Sequence, residues 1–298
     1  MNIKIPITFI TPCFCRGADC SDNGAPEIRS ASIRCQLHWW FRATGGTSSE
    51  EKDVFGSVHG DVKASPLVVR VKYDNNVKTI QSPTLPHKPH RGPQAFKQAI
   101  ASGVFFELLL STRLGGLSPD LEKKFFRALN AWLHFGALGL RATRGGGNFI
   151  WQTPAASDGS VAGVMPPPQT PEAYDEAIKK IIGGTRLCAA LLDTNYKNAE
   201  AAREIITDTI SHQGLSQENF PLGAVKQGKN DHSGAPGRKT SPLRFRIVKF
   251  AEDSFRISAV WDGRQNVTGN TKEDLHAAIR KLKEKNIGIQ LAASPLAG

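Results

Sequence analysis

Glu27-Ile-Arg-Ser-Ala-Ser-Ile-Arg-Cys-Gln-Leu-His-Trp-Trp-Phe-Arg42 carries two faces of opposite character. Ile33, Leu37, Trp40 and Phe41 repeat at the period of an amphipathic helix, so they form a stripe that belongs on a core, and Ser30 or Ser32 is expected to cap the start. On the opposite side Arg34, His38 and Arg42 recur every fourth residue, with Trp39 beside them. Their side chains therefore stack in one line. Such a line suits a polyanion, and the alternative is an ordinary solvated face.

Outward from this helix, residues 3–11 alternate Ile3, Ile5, Ile7 and Phe9 with polar neighbours, the period of a half-buried strand. After a loop rich in Gly, Ser and Glu, residues 66–73 and 103–111 read as strands from their β-branched and aromatic content. Ser118-Pro119 starts a second helix, with Leu121, Phe125, Leu129, Trp132 and Leu133 as its buried stripe and Gly136 as its stop. Asn148-Phe-Ile-Trp151 adds a short strand. Strand, helix, strand, strand, helix, strand is the ferredoxin-like split βαβ order, an α+β fold with two helices on one face of an antiparallel sheet.

Residues 153–171, with prolines at 166–168, read as a linker and divide the chain into a first domain at 1–155 and a second at 156–298. In the second, Thr170-Pro171-Glu172 opens a helix, 197–212 is another, and 243–249 with 254–261 forms a hairpin. Thr271 caps a further helix and 287–291 is a final strand; a short strand near 161–165 would make this half a second ferredoxin-like unit with inserted helices. Two basic inserts, 74–98 and 226–242, read as flexible loops of functional length, the first carrying Lys88, His90 and Arg91.

Lys and Arg outnumber Asp and Glu by 38 to 27 in 298 residues, a formal charge of +11 that selects an acidic partner, nucleic acid or an anionic membrane. No apolar run approaches spanning length, and Met-Asn-Ile-Lys-Ile-Pro-Ile reads as strand rather than leader, so no membrane partner is expected. Five cysteines, three of them crowded at 13, 15 and 20, lack the even spread of a secreted disulfide scaffold, which points to the reducing cytoplasm. The sequon Asn266-Val-Thr268 is then a chance triplet.

Further positive groups gather near the start of the first helix. Arg16 lies on the glycine-containing turn Phe14-Cys-Arg-Gly-Ala-Asp19, and Arg29 sits at the helix entrance, where backbone N–H groups and the dipole favour anions. Gly145, Gly146 and Gly147 let backbone amides approach a phosphate while Arg141 and Arg144 supply charge; a tight turn between helix and strand is the structural reading of the same residues.

These segments resemble a known family. Thr11-Pro12 with Gly17-Ala18, then Ile33-Arg-x-x-Leu-His-Trp-Trp-Phe-Arg42, then Phe55-Gly-Ser57, are similar to the opening of the Cmr subunit one family, of the RAMP superfamily, from type III-B CRISPR effector complexes. Leu138–Phe149 resembles the glycine-rich motif that closes the family's first domain, and Arg238-Lys-Thr-Ser-Pro-Leu243 its basic Ser-Pro segment. The chain departs from the pattern at Cys35, where glycine is common, and at Gly146, where Phe is usual. The resemblance implies a non-catalytic, RRM-like subunit at the 3′ end of the guide RNA, without cofactor, whose partners are guide RNA, target RNA and other Cmr effector subunits. Binding would be largely indifferent to base sequence, with phosphates on Arg16, Arg29, Arg34, Arg42, Arg141 and Arg144, and a base stacked on Trp39 or His38.

Other chemistries fit less well. Gly223-Ala-Val-Lys-Gln-Gly-Lys-Asn230 has P-loop spacing, but Asn stands where a magnesium-holding hydroxyl is required and no apolar strand precedes it. Cys13, Cys15 and Cys20, with Asp19, Asp22 or Cys35, lack the paired spacing of a zinc site; Cys35 and Cys188 read as small buried thiols. A metal-independent RAMP-type endoribonuclease would need histidines converging on a 2′-hydroxyl, and His38, His87 and His90 have no partner in a local motif. A third reading is an adaptor whose basic face docks an acidic sister subunit.

Overall fold

The computed structural model describes residues 1–17, 24–74, 76–86, 96–113, 115–154, 163–210, 243–262 and 289–291. Its first sheet has the order β2-β5-β1-β6, formed by β1 (Asn2–Phe9), β2 (Leu67–Lys72), β5 (Phe105–Thr112) and β6 (Phe149–Trp151). All pairings are antiparallel, with Ile5 opposite Leu108 and Thr8 opposite Ile150. Helices α1 (Ser30–Ala43) and α3 (Pro119–Phe135) connect these strands in the ferredoxin-like order.

Strand alternation explains which face the helices cover. Ile3, Ile5, Ile7, Phe9, Phe106, Leu108 and Leu110 are buried in one hydrophobic core with Ile33, Leu37, Trp40 and Phe41 of α1 and Phe125, Leu129, Trp132 and Leu133 of α3. Trp40 stacks on Phe135 at 5.8 Å and Trp132 meets Phe149 at 4.9 Å. The opposite face carries the Lys4–Glu107 ion pair at 3.3 Å and the exposed ring of Phe105.

Two elements differ from the sequence expectation. The loop after α1 contains a helix, α2 (Ser48–Phe55), started by a Thr47–Glu50 capping box and docked through Val54 and Phe55. The 74–98 insert contains an antiparallel ribbon, β3 (Thr79–Pro83) with β4 (Phe96–Ile100). Cys13 and Ile100 exchange two backbone hydrogen bonds of 2.9 Å, so the base of the ribbon is fastened to the segment following β1. Helix α1 itself has Arg29 at its N-cap with no side-chain capping bond, so neither Ser30 nor Ser32 caps it.

In the second half α4 (Pro171–Ile182), capped by Thr170, leads to β7 (Leu187–Leu192), α5 (Ala199–Ile205), a π-helical turn at Ile206–Ile210, β8 (Arg244–Ala251), β9 (Ser254–Asp262) and β10 (Ile289–Leu291). The order β10-β7-β9-β8 is again ferredoxin-like. Its first strand is β7, which follows α4; of the strand expected near 161–165, the described residues 163–165 are not in a strand. The expected helix from Thr271 lies outside the described residues.

Every residue of β7 is buried, because this sheet is covered on both faces. Cys188, Ala190 and Leu192 pack with α5 in a second core, whereas Leu187, Ala189 and Leu191 join the core of the first half through α4. Buried polar bonds tie the halves together. Tyr174 donates to the backbone oxygen of His134 (3.1 Å) or to Ser258 Oγ (2.9 Å), and Arg246 donates to Phe149 O at 2.6 Å and to Gly136 O.

Candidate nucleic-acid interface

Arg34, His38 and Arg42 do lie along one side of α1, but they do not form a solvated line. Arg34 donates to Phe55 O, to Ser65 Oγ at 3.3 Å and to Leu67 O at 3.4 Å, and its guanidinium lies 5.6 Å from the Phe55 ring centroid. Burial lowers its pKa, as expected of a cation drawn against the fold. His38 Nδ1 is 2.7 Å from Glu51 Oε1 and its ring stacks on Phe55 at 4.0 Å; Arg42 Nε is 3.7 Å from Glu51 Oε2. The physical reason is α2, which brings Glu51 and Phe55 over that side of α1. Trp39 is likewise covered on one ring face by Arg244, 3.9 Å from the ring centroid, so it is not an open stacking platform there.

The glycine-rich segment forms a tight turn between α3 and β6. Gly145, Gly146 and Gly147 are buried. Gly147 donates to Pro12 O at 2.9 Å and Gly146 to Arg141 O at 3.1 Å, so these two amides are already engaged within the fold instead of facing a phosphate. Gly147 has φ +60, and a Cβ there would collide with Leu138 O. Arg144 is drawn inward too: it donates to Leu243 O at 3.4 Å, lies 5.8 Å from the Phe245 ring, and its pKa falls to about 10 through burial and the neighbouring charge of Arg141. Arg141, with φ 66, is half-buried at the turn.

Two of the expected basic groups, Arg16 and Arg29, are exposed near the other end of α1. A cleft of about 370 Å³ is lined by Phe14, Cys15, Arg16, Gly24, Ser32, Lys97, Gln98, Gly139 and Leu140. It joins four segments: the turn after β1, the first turn of α1, strand β4 and the Gly139–Leu140 stretch after α3. Arg16 is exposed, Arg29 is exposed beside the helix start, and the first turn of α1 has no acidic residue and no capping side chain. Its backbone N–H groups and dipole therefore add positive potential to that of Arg16 and Lys97. Gly139, with φ +79, passes so close to Phe14 that a Cβ would come within 2.8 Å of its carbonyl. Leu140, 45% exposed, and Phe14 supply apolar surface beside the charges.

Of the sequence candidates, Arg16 lies in this cleft and Arg29 at the helix start beside it; Arg34, His38, Trp39, Arg42, Arg144, Gly146 and Gly147 are engaged elsewhere. Lys88, His90 and Arg91 lie outside the described residues, as do Cys20, Asp19, Asp22 and the 223–230 glycine segment. Lys97 is not legible as a site residue because it falls in the basic insert 74–98; the apolar pair Ala99-Ile100 just after the insert is the available signal. Glu51 was missed for the same reason, lying in a segment read as loop. No group of three or more His, Cys, Asp or Glu able to hold a metal occurs among the described residues. Cys13 and Cys15 are buried with sulfurs 3.0 Å apart, and Cys35 is exposed rather than buried.

Residues 6–150 match the family model of the RAMP superfamily. That match spans the first sheet from Pro6 to Ile150, both covering helices and the Arg16–Lys97 cleft. No curated protein matches the chain. Among solved structures, Cmr1 from Pyrococcus furiosus in its apo form is similar over 99% of both chains, with a TM-score of 0.62 and 15% identity. A chain of the type III-B Cmr-beta complex bound to cognate target RNA is similar over 93% of this chain and 100% of that one, with a TM-score of 0.62 and 10% identity. A second Cmr-beta structure, bound to cognate target RNA and AMPPnP, matches over 95% and 99% with a TM-score of 0.57 and 12% identity. The likeness extends past residue 150, so both ferredoxin-like units share the fold of these structures. Among the described residues no helix is long and apolar enough to cross a membrane.

Proposed function

We propose that this chain is a non-catalytic RNA-binding subunit of a cytoplasmic type III-B CRISPR effector complex, seated at the 3′ end of the guide RNA, with other Cmr subunits and target RNA as its further partners. The observation that carries this reading is the cleft at the start of α1, where Arg16, Lys97 and an uncapped helix terminus from three separate segments make one positive, partly apolar concavity. Phosphates of a single strand fit such a place, because helix-terminal N–H groups and flexible cations neutralise a backbone without reading its bases. The full-length likeness to Cmr1 and to chains of target-bound Cmr-beta complexes supports the same reading. Arg29 lies in position to extend the path beyond the cleft, and Arg141 is a further candidate at the glycine-rich turn.

The reading separates from an endoribonuclease and from a protein adaptor by experiment. Labelled guide-like RNA incubated with the chain should stay intact with and without magnesium; cleavage that disappears on His38→Ala would favour the nuclease, with His38 oriented by Glu51. RNA-to-protein crosslinks should map to Arg16, Ser32 and Lys97. Crosslinks to protein alone at that cleft would favour the adaptor.

A further inference from the structure

The first sheet ends on β2, and the outer side of that strand carries backbone groups without partners among the described residues. Arg113 N–H donates to Pro66 O at 2.9 Å, which sets the phase of the ladder: Val68, Arg70 and Lys72, opposite Ser111, Leu109 and Glu107, bond to β5. Leu67, Val69 and Val71 then turn their N–H and C=O groups away from the sheet. This phase is visible at Leu67 O, which accepts on the outer side from Ser65 Oγ at 2.8 Å and from Arg34 Nη1 at 3.4 Å. No such partner meets Val69 or Val71 among the described residues, so their two N–H and two C=O groups stand in a row along the edge. At the opposite edge of the sheet, on β6, Phe149 O is already taken by Arg246.

The two faces beside this edge differ in chemistry. Toward the helices, Val69 and Val71 are only partly buried against the core, so apolar surface continues to the rim. On the other face Arg70 and Lys72 are exposed, and neither has an ion pair among the described residues. Glu107, directly across from Lys72, is held by Lys4 at 3.3 Å. Two cations of one sign keep a second copy of this chain away, because pairing β2 with β2 would bring like charges together. They favour a strand of opposite charge. A nucleic acid fits the edge less well, since the carbonyls of Val69 and Val71 would meet phosphate oxygens, whereas a peptide strand offers an N–H to each carbonyl and a C=O to each N–H.

We propose that the outer edge of β2 is a docking site for an extended acidic segment of a partner protein, added to the four-stranded first sheet as a fifth strand. The segment bonds through its backbone to Val69 and Val71. Its acidic residues, at alternate positions, lie beside Arg70 and Lys72, and the apolar residues between them cover the two valines. Arg34, fixed on Leu67 O, limits the added strand at that end. The edge shares no residue with the Arg16–Lys97 cleft, so this surface and the RNA reading stand separately.

The test titrates the full chain with a short, end-blocked peptide alternating Glu and Val, following amide shifts and hydrogen exchange by NMR. At saturation, exchange at the Val69 and Val71 amides should slow by at least about tenfold, and a peptide alternating Lys and Val should leave it unchanged. Arg70→Glu/Lys72→Glu, at two exposed positions, should exchange the preference so that the Lys-Val peptide protects instead. Val69→Pro, which removes a donor that β5 does not use, should independently weaken binding of the Glu-Val peptide by at least about tenfold. No protection by the Glu-Val peptide, or protection that the charge reversal leaves unchanged, overturns the proposal. Protection that rises with protein concentration alone would assign the edge to a second copy, and protection by a decanucleotide RNA but not by the peptide would assign it to nucleic acid; both overturn it as well. RNA affinity retained in Arg70→Glu/Lys72→Glu through the Arg16 cleft leaves the proposed function standing.

Discussion

Arg34 and Arg16 carry the same charge but differ in exposure: Arg34 is half-buried against α2 and β2, and Arg16 is exposed. Arg34 donates to Phe55 O of α2 and Leu67 O of β2, and Leu67 O also accepts from Ser65 Oγ, so Arg34→Ala should lower stability by about 1–3 kcal/mol, the scale of leaving one buried acceptor unpaired, and leave the salt dependence of RNA binding unchanged. Thermal melts and binding titrations of the same variant check both halves of that statement. Gly147→Ala should cost at least about 2 kcal/mol, since it forces a positive φ on a residue with a Cβ and drives that atom into Leu138 O. Periodicity made the α1 stripe and the Arg34, His38, Arg42 line legible. It could not reveal Glu51, because a contact between side chains of two helices leaves no mark in the period of either.

At the scale of elements, strands and helices with strong apolar periods were legible: β1, β2, β5, α3 and the β8–β9 hairpin all fall within a few residues of their sequence readings. Short polar elements were not. Helix α2 has only Val54 and Phe55 in the core, and its start is fixed by the Thr47–Glu50 capping box rather than by a stripe. Lys124 of α3 reaches Glu50 at 2.5 Å, and that bond, followed by the backbone N–H of Thr47, holds the Glu50 carboxyl down at about 2. The ordinary value is 4.5, so the folded state binds its proton less readily than the unfolded chain. This contribution to stability is complete above pH 4.5 and is lost as pH falls through about 2. Lys124→Met should therefore flatten the acid limb of the stability profile in that window, as read by thermal melts from pH 5 downward. The β3–β4 ribbon escaped notice for a related reason: one end is pinned by Cys13 and Ile100, and Arg203 of α5 holds the other by donating to Pro83 O at 2.7 Å. Both anchors are tertiary.

For the whole molecule, one core runs from the first sheet into the second. Tyr174, Ile178 and Leu187 share a core with Ile5 and Trp132, and Arg246 bonds across the junction. Chemical denaturation followed by tryptophan fluorescence and by far-ultraviolet dichroism should therefore give one coincident transition, and two separated transitions would mean that the halves unfold independently. His134 lies at the same junction and titrates at about 3 in the fold against 6.5 ordinarily. The unfolded chain takes up this proton first, so stability falls as pH drops from 6.5 toward 3, by up to about 1.4 kcal/mol per pH unit. His134→Leu should remove that slope.

The most direct test of the account is the salt dependence of guide-like single-stranded RNA binding to the full chain, compared between the unaltered protein, Arg16→Ala/Lys97→Ala and Arg34→Ala. Two lost phosphate contacts should reduce the log–log slope by about 1.4 in the double variant, about 0.7 for each contact, and Arg34→Ala should keep the original slope. An undiminished slope in the double variant, or a slope lost with Arg34 alone, would contradict the placement of RNA in the cleft at the start of α1.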